Sequence, residues 1–354
     1  MTAQGIAMAL QGLMSMSSEH DEVRALIKVL TYKIKVCRDE MTAQGIAMSL
    51  SGCKYMNSEH EVVCGLIRAL TRKAIASNDQ MSVQNISHAL YGMVNMSSEH
   101  KDVCALIDVL AVKIHASSDE LDAQGIGNVL YGMRHMLSKH VEVQNLIKAI
   151  TYRIKASNDE LDAQGICNAL YGMRNMRSEH EQVRALIHAL TIKIEESKDT
   201  LNAQGIAMCL TGMTQISSAY EEVRALIKAL SAKIQLSTAE LNHQEFGMSF
   251  HGMRYMSSDY EEVRELIRIL TAKIEASTCK LAAEDIENIL KGLKHMNSKH
   301  EEVRTLLKVL TYKMESARTN LSAPGVGNAL CELDLMNIGH KEVREFYDII
   351  IRNQ

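Results

Sequence analysis

Four positions of a recurring forty-residue pattern hold the side chains best suited to chemistry in this chain. The fourteenth position of successive units carries Lys54, Arg134, Arg174, Arg254 and Lys294. The eleventh carries Tyr91, Tyr131, Tyr171 and His251, and the fifteenth carries Tyr55, Asn95, His135, Asn175, Gln215, Tyr255 and His295. Asn128 and Asn168 stand at the eighth. Cations beside flat rings and amides, stepped at a helix-packing distance of about 10 Å, suit a single strand of RNA. Cations meet phosphates, rings stack on bases, and amides or imidazoles read base edges. The same residue types also populate solvated or protein-binding helix faces. The first, third and sixth units break the cation ladder with Met14, Val94 and Thr214, and Asp334 is its acid. The residues alone therefore leave both readings open.

The elements that must position these side chains follow from the period. Gln4, Gln44, Gln84, Gln124, Gln164, Gln204 and Gln244 mark it, and Glu284 and Pro324 keep the same register. Units begin at residues 1, 41, 81, 121, 161, 201, 241, 281 and 321, with no insertion or deletion. The last is truncated, and Cys331-Glu332 and Glu345-Phe346-Tyr347-Asp348 depart from the pattern, as a capping repeat would.

In the fifth unit Asp162 is the expected N-cap of a first helix, whose apolar stripe runs through Ile166, Ala169, Leu170, Met173 and Met176. Pro324, behind Ser322, falls where a helix tolerates a missing N–H. A second helix is expected to start near Arg177 with Ser178 as cap, acids at Glu179 and Glu181, and a buried stripe of Val183, Leu186, Ile187, Leu190 and Ile194. Lys193 recurs in register as Lys33, Lys73, Lys113, Arg153, Lys233, Lys273 and Lys313, near the negative helix end. Helices of roughly 14 and 18 residues cannot bury their faces alone, so neighbouring units must stack. Gly12, Gly52, Gly92 and their successors lie inside the expected first helix, where each costs about 1 kcal/mol against alanine. Close approach of a neighbouring helix explains that cost. The expected fold is all-α: an α-solenoid, a right-handed superhelix of about nine two-helix repeats forming one domain over 1–354, with the first helices lining the inner surface.

Ala163-Gln164-Gly165-Ile166 followed by Asn168-Ala169-Leu170-Tyr171, and the parallel Asn128-Val129-Leu130-Tyr131, resemble the first helix of octotricopeptide and heptatricopeptide repeats. The likeness covers about a dozen positions of each unit. The period here is slightly longer than that family's, Tyr replaces its usual Trp, and its proline-rich stretch is absent. Asn at the eighth position survives as Asn128, Asn168, Asn288 and Asn328, and gives way elsewhere to Met8, Met48, Met208, Met248 or His88. The resemblance implies an α-solenoid that acts on RNA.

Other constellations read as structural. His20, His60, His100, His140, His180, His300 and His340 recur at the twentieth position, with Tyr220 and Tyr260 replacing two of them. Zinc ligands must gather within about 2.1 Å of one ion, whereas residues one repeat apart are about 8–10 Å apart. Cys64 and Cys104 stand where most units have Arg, with no sign of an activated thiolate. The eight cysteines show no pairing motif and fit reduced thiols of an intracellular protein. The net charge of −4 gives no global pull toward nucleic acid, and no apolar run suits a membrane span. No catalytic, phosphate-loop or metal signature appears. The expected function is non-catalytic binding, without cofactor, metal, membrane or small-molecule substrate. Single-stranded RNA is the first expected partner, and a peptide or partner domain held by a scaffold is the alternative.

Overall fold

The computed structural model describes every residue except Ser118, Arg318, Asn320, Asp334, Asn353 and Gln354, and leaves the Ala323 side chain undescribed. Asp334, the acid of the fourteenth-position ladder, thus lies outside the described residues. The described residues form helices and no strand. Two compact units divide the chain, Met1–Leu161 with Gly172–Ala189, and Asp162–Tyr171 with Leu190–Gln354.

The first unit contains α1 (Ala3–Gln11), α2 (Asp21–Val36), α3 (Ala43–Ser51), α4 (Glu61–Ala76), α5 (Val83–Gly92), α6 (Lys101–Ala116), α7 (Ala123–Gly132) and α8 (Val141–Ala156). Two helices, α9 (Ala163–Gly172) and α10 (Glu181–Glu196), contribute residues to both units. The second holds α11 (Ala203–Thr211), α12 (Glu221–Leu236), α13 (His243–His251), α14 (Glu261–Ala276), α15 (Ala283–Gly292), α16 (Glu301–Ala317), α17 (Ala323–Glu332) and α18 (Lys341–Arg352). Within the first unit α1, α3, α5 and α7 pack in succession, and α2, α4, α6 and α8 form a parallel layer. The second repeats this with α11, α13, α15 and α17 against α12, α14, α16 and α18. This is α-solenoid packing.

Except in α15, whose N-cap position holds Ala282, each first helix begins with a side-chain cap. Thr2 Oγ1 accepts from Gly5 N at 3.2 Å, and Asp162 Oδ1 accepts from Gly165 N at 2.6 Å. Asn242 and Glu245 form a reciprocal capping box. Ser322 accepts from Gly325 N at 3.1 Å, with Pro324 in the first turn. A second anchor was not legible. Asp39 Oδ2 accepts from Ala3 N at 3.3 Å and Asp79 Oδ2 from Ala43 N at 3.1 Å, pinning each closing loop to the first helix of its own repeat.

The first helices are shorter than the apolar stripe suggests, at 9 or 10 residues rather than about 14. They end at the recurring glycine. Beyond it the chain continues in i→i+3 turns, as in Leu13 N to Leu10 O at 2.9 Å and Met16 N to Leu13 O at 2.8 Å. A 3₁₀-like turn keeps three-residue spacing, so the core-facing stripe runs on while the α-helix stops. The glycine answers to close approach, as expected. A Cβ on Gly52, Gly92, Gly132 or Gly172 would overlap the carbonyl oxygen of Leu10, Leu50, Leu90 or Leu130, respectively. Within the second unit, Gly212, Gly252 and Gly292 meet Leu170, Leu210 and Phe250 in the same way.

The second helices start three residues after the serine expected to cap them. His20, His60 and His100 occupy the N-cap positions, without a side-chain capping bond. The serine reaches the next repeat instead. Ser18 Oγ accepts from Asn57 N at 2.8 Å, Ser58 from Ser97 N at 2.9 Å and Ser98 from Leu137 N at 2.8 Å. The lysines of the thirty-third position also bridge repeats. Lys73 Nζ donates to Cys37 O at 2.7 Å, and Lys273 Nζ to Ser237 O at 2.7 Å. Each thereby satisfies carbonyls at the end of the preceding second helix.

Candidate nucleic-acid interface

The turn after each first helix is set by the buried glycine and by the apolar side chains on either side of it. Among the described residues that geometry leaves the eleventh, fourteenth and fifteenth positions half-buried or exposed, except Val94, which is buried. In the first unit Lys54 Nζ stands 4.8 Å from the Tyr91 ring centroid and 5.4 Å from that of Tyr55. Tyr55 is 46% exposed, so its ring face is open to a ligand. Hydrogen bonding to Tyr91, together with the nearby phenols, raises the Lys54 pKa and keeps the ammonium charged. One repeat on, the Tyr91 and Tyr131 rings are 6.0 Å apart, and the Arg134 guanidinium lies 5.2 Å from the Tyr131 centroid.

Arg134 is held on several sides. Nε donates to Val94 O at 3.1 Å, Nη1 to Tyr131 Oη at 2.9 Å and Nη2 to Asn95 Oδ1 at 2.6 Å. The fifteenth-position amides are structural as well. Asn95 Nδ2 donates to Lys54 O at 2.8 Å, and Asn175 Nδ2 to Arg134 O at 2.7 Å. Both amides are thus engaged with the neighbouring repeat. His135 and Arg174 complete this stretch, both half-buried. Burial, then Arg174 and Arg134, pull the His135 pKa down to about 4, so its imidazole is neutral at pH 7. A neutral imidazole has one donor and one acceptor to offer a base edge.

In the second unit the Tyr255 and His295 rings stack with centroids 6.2 Å apart. The Arg254 guanidinium is 5.8 Å from the Tyr255 centroid, and its buried Nε has no hydrogen-bond partner. Burial, then Lys291 and Arg254, lower the His251 pKa. Burial and Lys294 lower that of His295, and Glu332 opposes them. Lys294 is exposed. Asn168 and Tyr171 share a face of α9 one turn apart, as do Asn128 and Tyr131 of α7 in the first unit. Lys291 is a cation that the reading of the fourteenth position passes over. It stands at the eleventh, with Nζ donating to Asn288 Oδ1 at 3.1 Å, and the period alone was enough to find it.

From the second unit of sequence to the eighth, the eighth, eleventh, fourteenth and fifteenth positions contain no acid. Acids lie at the start of the second helices, in the closing loops and in first helices, as Glu245, Asp285 and Glu287 do, and several at the nineteenth position pair across repeats. Glu19 takes His60 Nε2 at 3.2 Å, Glu99 takes Lys139 Nζ at 2.6 Å and Asp259 takes Lys299 Nζ at 2.7 Å. The twentieth-position histidines thus serve inter-repeat contacts.

Burial pushes Cys53 up to about 12 and Cys104 up to about 11, the opposite of what a nucleophilic thiolate requires. Cys104, His140 and Glu142 nevertheless come together, their candidate ligand atoms within 4.8 Å of one another. Sequence spacing conceals this group because a thiol of one repeat meets the imidazole and carboxylate of the next. Among the described residues no helix is long and apolar enough to cross a membrane. No protein-family model matches the chain, and no curated protein matches its sequence.

Proposed function

We propose that this chain binds single-stranded RNA, without catalysis of its own, along the first-helix side of its repeats. The observation that carries this reading is the stripe of cations and rings, free of acids from the second unit of sequence to the eighth, in a protein whose net charge is −4. Lys54 between two tyrosines, and Arg254 beside Tyr255 with a buried unpartnered Nε, supply phosphate contacts next to stacking surfaces. Asn95 and Asn175 are engaged in joining repeats, so base-edge reading falls to Asn128, Asn168, His135, His251 and His295, and stacking to the tyrosines. The resemblance of the first helices to octotricopeptide and heptatricopeptide repeats supports the same partner. The unpaired cysteines support an intracellular setting.

Binding the purified chain to a randomised single-stranded RNA pool, at low and near-physiological salt with a polyanion competitor, tests this. Enrichment of a short motif that survives competition supports the reading. A pool left unenriched, with a protein partner recovered from nuclease-treated extract, replaces RNA with a peptide or partner domain on the same stripe.

A further inference from the structure

The twenty-fourth position of each repeat faces the twentieth and twenty-second positions of the next. Most units place Arg there, and where an acid stands opposite, the guanidinium is in position to meet it. Arg264 Nε, for example, lies 4.0 Å from Glu302 Oε1. Two units substitute cysteine, with different consequences. Beside Cys64, the acid Asp102 is neutralised by Arg68, whose Nε and Nη2 donate to its two oxygens at 2.8 and 2.6 Å. Beside Cys104, the register of Arg68 is taken by Asp108, so Glu142 meets neither guanidinium.

The result is a thiol, an imidazole and a carboxylate within 4.8 Å of one another, the one such group among the described residues. Cys104 is 8% exposed, and His140 and Glu142 are half-buried. Each is fixed by its element: Cys104 in the first turn of α6, His140 at the N-cap of α8, and Glu142 in the first turn of α8. The Nε2 atom of His140 is buried without a hydrogen-bond partner, and Glu99 Oε2 lies 3.7 Å from it. One repeat on, the equivalent positions are Gln144 and His180, whose Nε2 and Nδ1 are 3.2 Å apart. In that register the imidazole turns Nδ1 toward the twenty-fourth position, which at Cys104 is a thiol.

We infer that Cys104, His140 and Glu142 form a binding site for a divalent transition-metal ion of the zinc class. Thiolate, neutral imidazole and carboxylate are its preferred donors, and their combined charge of about −2 matches the ion. Bond lengths of about 2.0–2.3 Å would draw the three atoms to roughly 3.5 Å apart, a movement of about an ångström that side-chain rotation supplies. Binding replaces the Cys104 S–H proton, now donated to Ser98 O at 3.0 Å, with the metal–sulfur bond. The proton leaves to solvent. Three protein ligands leave a fourth position for water, while Glu99, 3.7 Å from His140 Nε2, stands behind the ring. The site lies on the second-helix layer and is independent of the RNA reading.

Titration of the full chain with Co²⁺, followed by competition with Zn²⁺, tests the site. The repeat itself supplies mild substitutions: Cys104→Arg, His140→Tyr and Asp108→Arg each install a residue found at the same register elsewhere in the chain. The expected result is a thiolate-to-cobalt charge-transfer band saturating at one equivalent and erased by Zn²⁺. Cys104→Arg abolishes it, His140→Tyr weakens binding by more than the roughly 10–100-fold that loss of an outer-shell partner costs, and Asp108→Arg weakens it by supplying the cation Glu142 lacks. Cys64→Ser leaves it intact. Circular dichroism confirms that each variant is folded. Absence of the band at equimolar Co²⁺, or its persistence in folded Cys104→Arg, overturns the proposal.

Discussion

Arg134 Nη2 donates to Asn95 Oδ1 across the junction of two repeats at 2.6 Å. The same Asn95 amide donates back to Lys54 O at 2.8 Å. One side chain therefore ties the cation of its own neighbourhood to the backbone of the repeat before it. A guanidinium held in this way loses little freedom when a phosphate arrives, which makes ordering on binding less costly. Asn95→Ala should lower stability by about 1–2 kcal/mol through its lost hydrogen bonds, and should weaken RNA binding beyond the few-fold change expected at a residue outside the interface. Urea unfolding and anisotropy on the same preparation measure both. Wild-type affinity in the destabilised variant would show that Arg134 needs no such support.

Two glycines in α-helical segments predict opposite outcomes. Gly132 packs where a Cβ would overlap Leu90 O, whereas nothing lies within 4 Å of a Cβ on Gly65 in α4. Gly132→Ala should cost about 1–3 kcal/mol by forcing neighbouring first helices apart. Gly65→Ala should instead stabilise by up to about 1 kcal/mol, because alanine suits a helix interior better. Thermal unfolding of the two variants decides the matter, and equal effects would refute the close-approach account.

The buried hydroxyl of Ser98 accepts from Leu137 N at 2.8 Å, and Ser98 is fully buried. Its removal leaves an N–H without its partner at the junction of two repeats. Ser98→Ala should therefore destabilise by about 1–3 kcal/mol. A smaller cost, with hydrogen exchange at Leu137 N no faster than in the wild type, would mean that the bond adds nothing to the stack.

The His135 pKa of about 4 lies below its ordinary value of 6.5. Below pH 6.5 the unfolded chain takes up a proton that the folded chain refuses, so stability falls as pH drops from about 6.5 toward 4. His135→Asn, which installs the residue found in register at Asn95 and Asn175, should flatten that part of the pH dependence. Urea midpoints at pH 7 and pH 5 for both proteins measure the difference. An unchanged pH dependence would place His135 in contact with solvent.

Local rules made much of this structure legible. The helix starts at Thr2, Asp162 and Ser322 follow from capping chemistry within four residues, and the glycine register follows from its repeated cost. Contacts between repeats were harder to see. Ser18 resembles a cap in sequence, yet its partner Asn57 N lies 39 residues on. The first helices read as longer than they are because a 3₁₀-like turn preserves the apolar spacing through Leu13 and Met16. The amides of Asn95 and Asn175 read as free for recognition, although each reaches a carbonyl 41 residues back. Cys104 with His140 and Glu142 stayed hidden because the period that aligns equivalent residues does not display what lies diagonally across a junction.

The central claim is that the cation stripe binds RNA phosphates, and the salt dependence of binding tests it most directly. Affinity for an RNA enriched from the pool should fall steeply with salt, by about 0.7 in the logarithmic slope for each phosphate contact. Lys54→Gln and Lys294→Gln should each reduce the slope by about that amount while leaving the fold intact. Binding that is insensitive to salt, or a slope that neither substitution changes, would contradict the account and move the stripe from nucleic acid to a protein partner.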